Sequence, residues 1–99
     1  MRAPKVVAKG MDVIAMQIRS VAGAHRIPLV EAAPLARALY NTTEVGQEIP
    51  ATLFVAVAQI LAYVYRLKTA LAQGDAVPEK PNPDVDPDLL GRYRMNDEN

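Results

Sequence analysis

The octapeptide APKVVAKG, residues 3–10, decides how the rest of the chain is read. Its centre, residues 5–9, is short, β-branched and bounded by Pro4 and Gly10, the pattern of a strand covered on both faces. Such a strand needs neighbours, because its backbone donors and acceptors must be paired and a sheet of fewer than three strands is marginal by itself. The rest of the sequence has to supply those neighbours or imply where they come from.

From Met11 the apolar period changes. Met11, Ile14, Ile18, Val21 and Ala22 recur at three- and four-residue spacing, with Asp12 where the helix dipole favours an acid and His25-Arg26 where it favours cations. This predicts an amphipathic helix, stopped by Pro28. Residues 27–31 then read as a second short strand with proline confined to its start. Strand, helix and strand make a βαβ unit, which predicts parallel strands and a right-handed crossover.

Pro34 suits the first position of a short helix over residues 35–40, with Leu35 and Leu39 facing inward and Asn41-Thr42-Thr43 ending it. VGQEIP, residues 45–50, reads as a turn that puts Pro50 at the head of a last helix running to about Ala72. That helix is apolar nearly all round from Leu53 to Leu67 and is expected to be the most buried element. No third strand follows. The expected fold class is α/β, a small βαβ-containing sheet packed by helices, with upstream strands missing from this chain.

Charge divides the sequence in two. Residues 74–99 hold seven acidic side chains against three basic ones, and four of the eight prolines, whereas residues 1–73 hold eight basic against four acidic. The composition predicts an ordered domain over 1–73 and a disordered, proline- and acid-rich tail over 74–99. The scattered positive charge of the first part is too small for a nucleic-acid footprint.

Other classes are excluded on composition. Without cysteine there are no disulfides or thiolate metal sites. The apolar run 53–64 contains Gln59, is followed by Arg66 and Lys68, and falls short of the roughly 18 to 20 residues that span a bilayer. Residues 1–4 have no apolar region behind them of the kind a secretory signal needs, and the chain as given is expected to be soluble.

Candidate chemistry is sparse. The single histidine, His25, sits at a helix end and has only the single serine, Ser20, in reach, so a capping role outweighs a nucleophilic one. Asp84, Asp86 and Asp88 alternate as in a calcium loop, but Pro87 interrupts them, the sixth position is Leu89 and the twelfth is Met95. Gly10, Gly46 and Gly74 are isolated and form no phosphate loop. No metal or cofactor site is expected. Phe54, Tyr63 and Tyr65 read as core and rim of the last helix. Ala58 and Leu61 lie three apart on one face of it, where a small residue beside a leucine can leave a shallow apolar pocket.

Four segments taken together are distinctive: APKVVAKG (3–10), PLARALY (34–40), VGQEIP (45–50) and AVAQILAYVYRLK (56–68). In this order and spacing they closely resemble the carboxy-terminal cytoplasmic domain of the FlhB family of flagellar type III export switch proteins, over residues 1 to about 71. The resemblance implies a small sheet surrounded by helices, joined in the full-length protein to a membrane-embedded part, at the cytoplasmic face of the bacterial inner membrane. It implies autocleavage at an Asn-Pro-Thr-His motif just upstream of the opening strand. That motif is absent here, since Asn82-Pro83 is followed by Asp84-Val85, so no enzymatic activity is expected of this chain.

The implied role is a switch that docks rod and hook subunits and then, on a signal from the hook-length ruler protein, changes preference to filament-type substrates. The family's apolar docking pocket maps onto Ala3, Pro4, Ala58 and Leu61. Other export-gate components and the upstream segment of the same domain are the remaining implied partners. The equivalent switch protein of a virulence injectisome is the alternative. Met1 is either an internal residue of a longer protein or the start of a free-standing homologue that complements a truncated switch protein.

Overall fold

A computed structural model of the chain describes residues 3–90. Three α-helices carry the architecture: α1 (Asp12–Ala24), α2 (Ala33–Thr42) and α3 (Phe54–Gln73), with 3₁₀ turns at Ala51–Leu53 and Pro87–Leu90. The expected helices are therefore present, and the proline reading holds. Pro34 lies in the first turn of α2, and Pro50 precedes the 3₁₀ turn that leads into α3.

The strands differ from expectation. The opening segment is extended, but its partner is the stretch before Pro50 and not residues 27–31. Lys5 forms an antiparallel bridge with Glu48. The flanking bonds run from Val6 N–H to the Gln47 carbonyl (3.0 Å), from Ile49 N–H to the Pro4 carbonyl (3.0 Å) and from Gly46 N–H to the Val6 carbonyl (2.6 Å). This reach-back depends on a tight turn at Glu44 to Gln47, closed by Gln47 N–H to the Glu44 carbonyl (3.0 Å), with Gly46 at φ 90° in a region that L side chains rarely adopt. Among the described residues no parallel βαβ pairing forms, and 27–31 joins no ladder. The physical reason is that one short antiparallel neighbour already satisfies one edge of the opening segment, while an isolated parallel pair is a weaker arrangement.

The core is small. Leu35 and Ala38 of α2 meet Leu53 and Ala56 at the head of α3, with Ala32, Leu39, Val57, Ile60, Val85 and Leu89 packed around them. The last two lie in the segment that composition alone assigned to a disordered tail. Residues 75–90 here fold back, and the Pro87–Leu90 turn packs on α2. The remainder of that expected tail, 91–99, lies outside the described residues.

Helix α3 is not the most buried element. Only Ala56, Tyr63 and Ala70 are buried along it, whereas Phe54, Val55, Leu61, Tyr65 and Leu71 are exposed. By length and composition alone, the continuous helical segment Ala51–Gln73 reaches the requirement for a membrane span, which the interrupted run 53–64 did not.

Candidate docking surface

The four distinctive segments converge. Lys9 of the opening segment crosses to the end of α2, where its Nζ donates to the carbonyls of Tyr40 (3.0 Å) and Thr43 (3.1 Å), lies 3.6 Å from Glu44 Oε2 and sits 4.9 Å from the Tyr40 ring centre. A cation here satisfies carbonyls left unpaired at a helix C-terminus and meets the negative end of the helix dipole. The neighbouring Thr43, 2% exposed, shares a hydroxyl contact with Thr42 (3.1 Å), which itself donates to the Ala38 carbonyl (2.8 Å). Thus the strand, α2 and the turn before α3 are locked at one corner.

That corner sets where α3 begins. Pro4 is held to Ile49 through its carbonyl, and Ile49 is followed by Pro50 and the 3₁₀ turn. At the other end, Gly74 takes the left-handed conformation (φ 74°), and the N–H groups of Gly74 and Asp75 both bond the Ala70 carbonyl. Between these ends one side of α3 carries Ala56, Tyr63 and Ala70 into the interior. The opposite side presents Phe54, Ala58, Leu61 and Tyr65 at four-, three- and four-residue spacing, with Leu61 53% and Tyr65 73% exposed. No acidic residue interrupts α3 from Phe54 to Gln73.

The four residues mapped from the resemblance fall into two places. Ala58 and Leu61 lie together on the exposed stripe, while half-buried Ala3 and exposed Pro4 lie on the opening segment beside Ile49. The two larger surface grooves are elsewhere, and a smaller one of about 240 Å³ lies beside Tyr65 at the end of α3. One of about 720 Å³ opens between residues 5–12, α1 and α2, and one of about 520 Å³ lies between the start of α2 and residues 80–83. The sequence reading missed Phe54 and Tyr65 as members of the stripe, although their spacing from Ala58 and Leu61 was legible.

The other candidates remain dispersed. His25 is exposed at the end of α1, with Nδ1 2.9 Å from the Val21 carbonyl. Asp86 Oδ1 accepts the Asp88 N–H (2.9 Å) and so opens the last 3₁₀ turn. Among the described residues no three acidic or histidine side chains converge as a metal site would require.

The sequence pattern described as the FlhB HrpN YscU SpaS family matches residues 1–64, from the opening segment into the exposed stripe. The chain belongs to this family. It is 57% identical over 81 residues to the flagellar biosynthetic protein FlhB of Yersinia enterocolitica and 53% identical over 83 residues to that of Salmonella typhimurium, covering 82% and 83% of this chain. These stretches are 21% and 22% of the two relatives, so the chain spans about a fifth of their length. The crystal structure of the cytoplasmic domain of FlhB from Shewanella putrefaciens superposes with a TM-score of 0.83 at 44% identity, over 92% of this chain and 72% of that one. The chain thus resembles the cytoplasmic domain of FlhB in fold as well as in sequence. The lock at Lys9 and three of the four stripe residues, Phe54, Ala58 and Leu61, fall inside the family match.

Proposed function

We propose that this chain serves as a cytoplasmic part of the flagellar type III protein export apparatus, at the face of the bacterial inner membrane, where it docks rod- and hook-type substrates and takes part in the change to filament-type export. The observation that carries this reading is the uninterrupted apolar stripe Phe54, Ala58, Leu61 and Tyr65 on α3, left uncovered in a domain of the FlhB family. In this reading Ala3 and Pro4, on the opening segment, are a second part of the docking surface. Relatives that carry the flagellar name support the flagellar branch over the injectisome one. The hook-length ruler protein, other gate components and the upstream segment of the domain are its further partners.

An apolar stripe without fixed polar partners suits weak, fast-exchanging contact with a short apolar segment of an unfolded subunit, and export requires release as well as capture. Ala58→Asp places a carboxylate in the centre of the contact. We expect it to weaken docking of a purified rod or hook subunit by about 2 kcal/mol, roughly thirtyfold, while far-UV circular dichroism stays unchanged because position 58 is exposed. A folded variant that docks such subunits with unaltered affinity would rule out the stripe as the docking surface.

A further inference from the structure

Residues 80–90 lie beyond the family match and run beside α2 in the same direction. Lys80 Nζ donates to the Glu31 carbonyl (2.7 Å) just before α2 begins, and Asn41 Nδ2 in the last turn of α2 donates to the Leu89 carbonyl (3.1 Å). Ten residues of helix advance about 15 Å, whereas nine residues of extended chain would reach about 30 Å. The segment takes up part of the difference by winding into the Pro87–Leu90 turn, which the Asp86 side chain opens.

Between these ties, Val85 and Leu89 pack against the cluster of Leu35, Ala38, Leu53 and Ala56. Both anchors are only half-buried, and Asp84, Asp86 and Asp88 are exposed. The link from α3 is an exposed stretch after the left-handed Gly74, with Val77 61% exposed, so the segment can leave without disturbing a helix. The ties include two exposed side-chain hydrogen bonds and the partial apolar contacts of Val85 and Leu89.

We propose that the groove between α2 and the start of α3 is a receptor for an extended, proline-rich segment with apolar anchors four residues apart, and that residues 80–90 are its resident, displaceable ligand. A segment of the same chemistry on another protein competes for the groove. The site uses Ala56 on the inward side of α3, apart from Ala58 and Leu61, so it stands or falls independently of substrate docking on the stripe.

The test uses the full chain with Val85→Ser and Leu89→Ser together, which empties the groove, and a fluorescent synthetic peptide PEKPNPDVDPDLL matching residues 78–90. Anisotropy is expected to show saturable binding to the variant at least tenfold tighter than to the unsubstituted chain. The same peptide with serine at both anchors should not bind. Equal affinity for both chains, or no binding to a variant whose helical content is intact, overturns the proposal. Should the double variant fail to fold, Leu89→Ala alone decides: severalfold tighter peptide binding than the unsubstituted chain is expected, and no gain refutes the resident-ligand reading.

Discussion

Lys9 carries more of this structure than its place in a strand-like octapeptide suggests. It bonds two carbonyls at the end of α2 and lies beside Glu44 while only partly exposed. Lys9→Met keeps the aliphatic stem but leaves those carbonyls without their charged donor, and a loss of about 1–2 kcal/mol in urea denaturation is expected. An unaltered midpoint would show that the carbonyls are satisfied equally well by water. Two helix ends give predictions of opposite sign. Arg26 ends α1 at φ 58°, with Ile27 N–H bonded to the Ala22 carbonyl (2.8 Å), a geometry that glycine fills without steric cost. Arg26→Gly should therefore stabilise the chain by about 1 kcal/mol, and Gly74→Ala should cost about 1 kcal/mol, both measured by thermal melting. The role of Gly74 is legible in the sequence as a glycine after an apolar run. Those of Arg26 and Lys9 are not, because nothing local distinguishes a lysine that crosses to another element from one that points into water.

At the scale of elements, helices were legible and pairings were not. Proline at the first turns of α2 and before α3, and the three- and four-residue spacing of α1, depend on neighbours within a few residues and so survive in any context. Strand partnership depends on which edge is available, and the Gly46 turn brings residues 46–49 to an edge that the βαβ reading had assigned elsewhere. Burial of α3 was misjudged for a related reason. A helix apolar all round has no phase in its sequence, and only contact with Leu35 and Ala38 reveals that Leu53 and Ala56 point inward. The two sides should respond differently to truncation. Leu53, 1% exposed, should lose about 2–4 kcal/mol as Leu53→Ala, whereas Leu61→Ala should alter stability by no more than about 0.5 kcal/mol in the same denaturation experiment. Comparable losses at both positions would mean that the exposed stripe is part of the core.

Among the described residues few side chains are buried, and one edge of the opening segment is left open. The radius of gyration of the whole molecule, 14.7 Å, exceeds the about 13 Å typical of a chain near 100 residues, and Val7 of the opening segment and Val13, Ile14 and Met16 of α1 remain exposed. The bonds to residues 46–49 engage Pro4 and Val6, so the N–H and C=O groups of Lys5 and Val7 point the other way and make no backbone hydrogen bond among the described residues. Alternate residues of a strand face opposite edges, and an unpaired edge is a template for a further strand. The structurally matched domain from Shewanella putrefaciens extends beyond the 72% covered by this chain, and we predict that a strand added upstream of this chain pairs with the open edge. Amide exchange separates the two edges in one experiment. In the chain alone, Val6 and Ile49 should be protected while Lys5 and Val7 exchange at rates close to those of an unstructured peptide. When the same chain is extended at its amino terminus by the corresponding relative's residues, Val7 should gain at least about tenfold protection while Val6 keeps its own, because only the outer edge acquires a partner. Protection of Val7 without the extension, or none with it, would remove the open edge as the place where the domain is completed.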